Sequence, residues 1–220
     1  MKIYAIIPAR GGSKRIQEKN ISLINNKPLI KWTIDSCLQS SMIDKVYVST
    51  NCPKISSVAL KAGAIVIKRP ENLCGDESTT EEAIGHWLQQ IEERPDIIAL
   101  VQCTSPFRGK DTLDNAIKKL IQEKADSLFF ATDLGRWIWT EDNVPINYDY
   151  TNRIMTQDKN WELVEGGDYI FTTDLFEKTS LRLGGKIIHY KIGKIESTDI
   201  DDHEDLLIAR SIASVLYQED

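Results

Sequence analysis

Lys2-Ile3-Tyr4-Ala5-Ile6-Ile7-Pro8-Ala9-Arg10-Gly11-Gly12-Ser13-Lys14-Arg15, with Lys19-Asn20 shortly after, is the stretch on which the reading of this chain turns. Its first half is a short apolar run with β-branched and aromatic members, the pattern of a buried strand. Its second half is a glycine pair among cations. Gly11 and Gly12 can take φ > 0 and let a ligand approach the bare backbone. Successive N–H groups in such a turn form an anion nest, and Arg10, Lys14, Arg15 and Lys19 supply countercharge. The loop therefore points to phosphate. A Walker loop is excluded, because no second glycine stands before the lysine, and the dinucleotide fingerprint G-x-G-x-x-G is absent as well.

Outward from this stretch, strands and helices alternate. Helices are predicted over Pro28 to Gln39, Pro53 to Ala62, Ser78 to Ile91, Asp111 to Lys124 and Glu204 to Tyr217. Thr79 and Glu82 form a capping box for the third, and the last carries Leu207, Ile208, Ser211, Ile212 and Val215 on one face. Strands are predicted over Asp44 to Thr50, Ile65 to Ile67, Asp96 to Val101, Leu128 to Ala131, Asp168 to Thr172 and Lys186 to Ile192. This alternation predicts an α/β fold with a mostly parallel sheet, and ligands then gather beyond the carboxyl ends of the strands. The polar segments Arg10 to Lys14, Ser49 to Asn51, Arg69 and Gln102 to Arg108 should share that rim. Between Gly135 and Leu163 the rhythm breaks, and Trp137, Trp139, Tyr148, Tyr150 and Trp161 follow no helical period. Aromatic residues at this density suit an interface, which predicts a homodimer contact through this extension.

Composition narrows the function further. A chain of 220 residues is most simply one domain, here residues 1–220 with 135–163 as a projecting dimerisation extension. A net charge of −6 argues against a nucleic-acid surface, which needs a basic face. Cys37, Cys52, Cys74 and Cys103 are widely spaced, which fits reduced thiols in the cytoplasm better than disulfides or a zinc site. The opening apolar run is too short for a signal peptide, and no stretch approaches membrane-spanning length.

Two further segments carry chemistry. In an extended Ser197-Thr198-Asp199-Ile200-Asp201, Asp199 and Asp201 fall on one side, and two carboxylates there suit Mg²⁺ shared with substrate phosphates. The competing reading is an acidic helix start, with Asp201, Asp202 and Asp205 favouring the dipole; facing a phosphate loop, the metal reading is the better. Gln102-Cys103-Thr104-Ser105-Pro106-Phe107-Arg108 at a strand end makes a wall for sugar or ribose hydroxyls. No histidine sits in a recognisable catalytic motif.

Together these motifs resemble, in chain order and nearly end to end, the CMP-sialic acid synthetases, cytidylyltransferases that activate nonulosonic sugars. The family's A-R-x-x-S-K-x-x-x-x-K-N is met by Arg10, Ser13, Lys14, Lys19 and Asn20; its R-P-x-x-L-x-x-D by Arg69 to Asp76; its Q-P-T-S-P-L-R by Gln102 to Arg108; and its S-x-D-I-D by Ser197, Asp199 and Asp201. The resemblance implies a three-layer α/β/α nucleotide-diphospho-sugar transferase-like fold. It also implies transfer of CMP from CTP to a sugar acid with release of pyrophosphate, and Mg²⁺ on Asp199 and Asp201. Arg10, Gly11, Gly12, Ser13, Lys14, Lys19 and Asn20 would hold the nucleotide, with Arg69 and Thr80 near the cytosine. Gln102, Thr104, Ser105, Arg153 and Gln157 would face the sugar. Thr156 replaces the family's arginine before Q-D, and Gly166 replaces an asparagine. These departures lead us to expect an acceptor other than N-acetylneuraminic acid, its carboxylate paired by Arg153 or Lys159. A Kdo-type acceptor and a non-catalytic nucleotide-binding homologue are the alternatives; the intact aspartate pair speaks against the second.

Overall fold

The structure, a computed structural model, describes residues 1–217. The opening strand β1 (Ile3–Pro8) is followed by a hairpin of β2 (Leu23–Ile24) and β3 (Lys27–Pro28). Then come α1 (Leu29–Gln39), β4 (Lys45–Thr50), α2 (Pro53–Lys61), β5 (Ile65–Lys68), α3 (Thr80–Gln90), β6 (Ile97–Leu100) and α4 (Thr112–Gln122). β7 (Ser127–Asp133), β8 (Leu163–Thr172), α5 (Thr173–Thr179), β9 (Ile187–Lys191) and α6 (His203–Leu216) complete the order. Every predicted strand and helix is present, and the capping box of α3 closes as expected, with the Thr79 hydroxyl accepting from the Glu82 N–H. The hairpin and α5 left no readable period in the sequence. The hairpin turns on Asn25 and Asn26, both with φ near +50°, a pair that suits a tight two-residue turn. The seven residues of α5 start from the Thr172 hydroxyl, which accepts from Leu175 N–H at 3.3 Å.

The main sheet runs β5-β4-β1-β6-β8-β7-β9. β1 pairs in parallel with both β4 and β6, whereas β8 runs antiparallel between β6 and β7. Buried on both faces, β1 feeds two cores, as an apolar parallel strand does. Ala5 and Ile7 pack with Ile30 and Ile34 of α1, Ile55 of α2 and Ile117 of α4. Tyr4 and Ile6 face the other way, onto Trp87 of α3 and Phe176 of α5. Helices on both faces make the expected three-layer architecture.

A third cluster positions the site. Ile16, Ile24, Leu29, Phe107, Ile200 and Leu206 are buried together, so the loop after β1 and the segment before α6 share one apolar seat. Each such side chain contributes about 1.5–3 kcal/mol by leaving water. The face of α6 that makes this seat corrects the sequence reading: Leu206, Ala209 and Ala213 point inward, while Leu207, Ile208 and Val215 are exposed. Small alanines let the helix approach closely, and hydropathy ranks the larger outward residues above them. In α1, Cys37 takes the inward position and Leu38 is exposed.

The segment between β7 and β8 packs chiefly on itself. Trp137 stacks with Tyr148 and Trp161 at centroid distances of 4.5 and 4.9 Å, and a bridge joins Trp139 to Pro145.

Candidate active site

Beyond the carboxyl end of β1 lies a cleft of about 320 Å³. Arg10, Ser13, Lys14 and Arg15 from the opening loop, Lys19 and Asn20 from the turn after it, Thr104 from the end of β6, and Asp201 line it. A neighbouring groove continues past Gly11 and Gly12 to Asn51, Cys74 and Asp76, and Arg10 stands between the two. The loop, Ser49 to Asn51, and the β6 end thus meet along one rim, as the alternating pattern predicts.

Local hydrogen bonds shape the loop. Gly12 adopts φ +76°, the left-handed region that glycine enters without strain. Asn20, buried at the back, donates from Nδ2 to the Arg10 carbonyl at 3.1 Å. The Gly11 N–H does not face the cleft freely, because Asn51 Oδ1 accepts it at 2.9 Å. A backbone N–H inside a fold finds an acceptor, and a side chain just past the neighbouring strand β4 supplies one. That part of the expected nest is therefore already occupied by the protein.

The cations are met by carboxylates and carbonyls. Lys14 Nζ lies 2.7 Å from Asp76, which also receives Arg10 at 3.3 Å. Arg10 donates further to the carbonyls of Gly75 and Cys74, at 2.5 and 3.1 Å. The hydrogen bond from Lys14 is the chief reason the Asp76 carboxyl titrates below its usual range. Lys19 Nζ binds the Ile200 carbonyl at 2.8 Å and Asp201 at 3.3 Å, and Arg15 approaches Asp201 at 3.4 Å. Asp202 caps α6 and closes a capping box with Asp205. The acidic helix start is thus made by Asp202 and Asp205, which leaves Asp201 to face the cleft cations. Asp199 is exposed on the same segment and does not line the cleft.

At the end of β6, Thr104 lines the cleft and Ser105 is buried beside it. Gln102 donates from Nε2 to the Gly167 carbonyl at 2.6 Å. Arg69 is buried and clamped on Ser49, through Nε to its hydroxyl at 3.0 Å and NH2 to its carbonyl at 2.8 Å. Thr80 opens α3 and does not line the cleft. Arg153, Gln157 and Lys159 are not brought to the cleft of their own chain. Arg153 lies over the Trp137 and Tyr148 rings; Lys159 binds the Asn147 carbonyl and Glu162; Gln157 is exposed beside Met155. The open side of Gly166 faces Ile192 and the Phe130 carbonyl, whereas Gly167 abuts Ser105. Asp76 is the contributor that sequence reasoning named without a role. Asp76 closes the R-P-x-x-L-x-x-D motif, which was its available signal.

Among the described residues no group of three or more His, Cys, Asp or Glu side chains forms a metal cage. Mg²⁺ does not need one, since it is held through one or two carboxylates, water and substrate phosphates. The hard-oxygen Asp201, at the mouth of a cationic cleft, fits that requirement. No helix in the described part is long and apolar enough to cross a membrane.

A mostly parallel sheet with a cationic loop and a carboxylate at its carboxyl rim is an arrangement suited to a small anionic ligand. The cytidylyltransferase family model matches residues 4–162, and the chain belongs to that family. It is 34% identical over 206 residues to N-acylneuraminate cytidylyltransferase A of Danio rerio, covering 90% of this chain and 48% of that protein. With Pseudaminic acid cytidylyltransferase of Campylobacter jejuni it shares 39% over 137 residues, 60% of this chain and 59% of that one. The chain spans about half the length of the curated relatives it matches. A solved CMP:2-keto-3-deoxy-manno-octonic acid synthetase complexed with CTP superimposes with a TM-score of 0.75 at 15% identity, covering 97% of this chain and 99% of the other.

Proposed function

We propose that this chain transfers CMP from CTP to the anomeric hydroxyl of a nonulosonic sugar acid, releasing pyrophosphate. The observation that carries this is the convergence of Arg10, Lys14, Lys19, Thr104 and Asp201 on one cleft at the end of β1 and β6. Its named relatives act on acylneuraminic and pseudaminic acids, which supports the acceptor class. The work is mainly positioning and charge neutralisation. Arg10 and Lys14 would leave Asp76 for the triphosphate and stabilise the pyrophosphate as it departs. Lys19 would hold the phosphate side and the Asp201 segment in one frame. The Gln102 to Ser105 wall would orient the sugar. Asp201, with Asp199 if that side chain turns inward, would hold Mg²⁺, which when bound polarises phosphoryl oxygens. Pyrophosphate release, assayed with CTP and N-acetylneuraminic, legionaminic-type, pseudaminic-type and Kdo-type acids, tests the reaction. Turnover of none of them would overturn it.

The same reading takes the chain as one cytidylyltransferase domain, with 135–163 as an extension that pairs two copies. The exposed Ile146, Tyr150 and Met155 of that extension support a homodimer. Light scattering at micromolar concentration should give twice the chain mass. The four unpaired cysteines fit a reducing cytoplasm.

A further inference from the structure

Behind the Gln102 to Ser105 wall lies an ion pair that the chemistry above leaves unused. Arg108 and Asp168 side chains are 2% and 6% exposed. Arg108 grips the carboxylate with two donors, Nε at 2.6 Å and NH2 at 2.8 Å, the fork geometry that makes such pairs directional. Burial by itself disfavours the charge on Arg108, and Asp168 is the main group opposing that cost, so that the guanidinium stays charged.

The pair holds one residue by both of its peptide groups. The β6–β8 ladder reaches Leu100 opposite Tyr169. Two residues on, the Gln102 N–H donates to the Asp168 side chain at 2.9 Å, and the Gln102 carbonyl accepts from Arg108 NH2 at 2.6 Å. Arg108 NH1 adds Thr33 on α1 at 3.2 Å. Gly167, with φ +36°, closes the contact from the other side: a Cβ there would stand 2.9 Å from Ser105 Oγ. From Gln102 the constraint passes to Thr104, whose carbonyl accepts the Ile200 N–H at 2.9 Å. The Ile200 carbonyl in turn binds Lys19, and Asp201 is the next residue.

We infer that Arg108 and Asp168 are a positioning pair that sets the acceptor wall and, through Thr104 and Ile200, the Asp201 carboxylate. The inference rests on the proposed function for what the wall binds, but not for the coupling itself. An apolar pair of similar size is often as stable as a buried ion pair. Stability alone therefore gives no reason for charge here, whereas fixing Gln102 at both peptide groups does.

The test separates positioning from mere stability. The double variant Arg108→Met/Asp168→Leu should fold and lose far less stability than Arg108→Met alone, because both charges leave together and only the Gln102 peptide groups lose partners. Amide exchange should nonetheless rise about tenfold or more in residues 101–105 and 198–201, with residues 3–8 unchanged. Affinity for CTP without metal should stay within about twofold, while kcat/KM for the panel acid that turns over fastest should fall about a hundredfold. Native exchange in both segments of the folded double variant would overturn the inference, as would equal losses for CTP and acid. If the double variant does not fold, Arg108→Lys, which loses the fork but keeps the charge, should raise exchange in the same two segments; unchanged exchange there overturns the inference equally. If the native protein turns over no acid of the panel, the proposed reaction fails while exchange still decides the role of the pair.

Discussion

Two cation–carboxylate contacts flank the cleft, and they differ in everything except chemistry. Lys14 and Asp76 are 73% and 54% exposed; Arg108 and Asp168 are almost wholly enclosed. The first joins two loops in high dielectric, where such a pair contributes little and can be exchanged for a stronger anion. The second is desolvated and hydrogen-bonded throughout, so that removing either partner strands a charge. The exposed contact is suited to yield to a triphosphate, and the buried one to hold still while it does. Asp201 and Lys19 stand between these extremes, with Lys19 14% and Asp201 49% exposed.

Removing one half of the buried pair should give the largest effect. Arg108→Met alone leaves Asp168 unpaired and should cost about 3–5 kcal/mol of unfolding free energy, measured by urea denaturation. A loss under about 1 kcal/mol would erase the distinction between the two contacts. Next comes the intermediate site: Asp201→Ala should lower kcat by about two orders of magnitude while circular dichroism stays native. Near-native turnover in that variant would remove Asp201 from the metal assignment.

The exposed contact gives the smaller changes, and they have opposite signs. Lys14→Ala should weaken CTP binding about ten- to a hundredfold, the scale of one charge-assisted hydrogen bond, with far less effect on the acid. Asp76→Asn should instead tighten CTP about two- to fivefold at pH 7, because it frees Lys14 from a competing anion. The Asp76 carboxyl is depressed, chiefly by the Lys14 hydrogen bond. Its contact is therefore complete above the usual carboxylate range and is lost only as pH falls through the depressed value. The difference between Asp76→Asn and the native protein should accordingly be constant from pH 6 to 8 by isothermal titration calorimetry. Weaker binding by Asp76→Asn would make Asp76 a contributor to the nucleotide site rather than a competitor for it.

How much was legible beforehand depends on the range of the interactions involved. The apolar run of β1 (Ile3–Pro8), the Thr79–Glu82 capping box and the alternation of elements are local patterns, and they determined the layered α/β fold. The glycine pair, its cations and the aspartates near residue 200 were local too, so the sequence alone marked the cationic loop and its opposing acids. Which of the acids faces the cleft was not local. Asp202 and Asp205 are drawn onto the α6 terminus, and Asp201 faces Lys19 across 182 residues only because Ile16 and Ile200 share a buried seat. Packing also decided the inward face of α6, where Ala209 and Ala213 permit a close approach that hydropathy does not rank. The same holds for Arg108 and Asp168, 60 residues apart: the sequence marked Arg108 as part of the wall segment but gave it no partner, and only the antiparallel passage of β8 beside β6 brings the two together out of water.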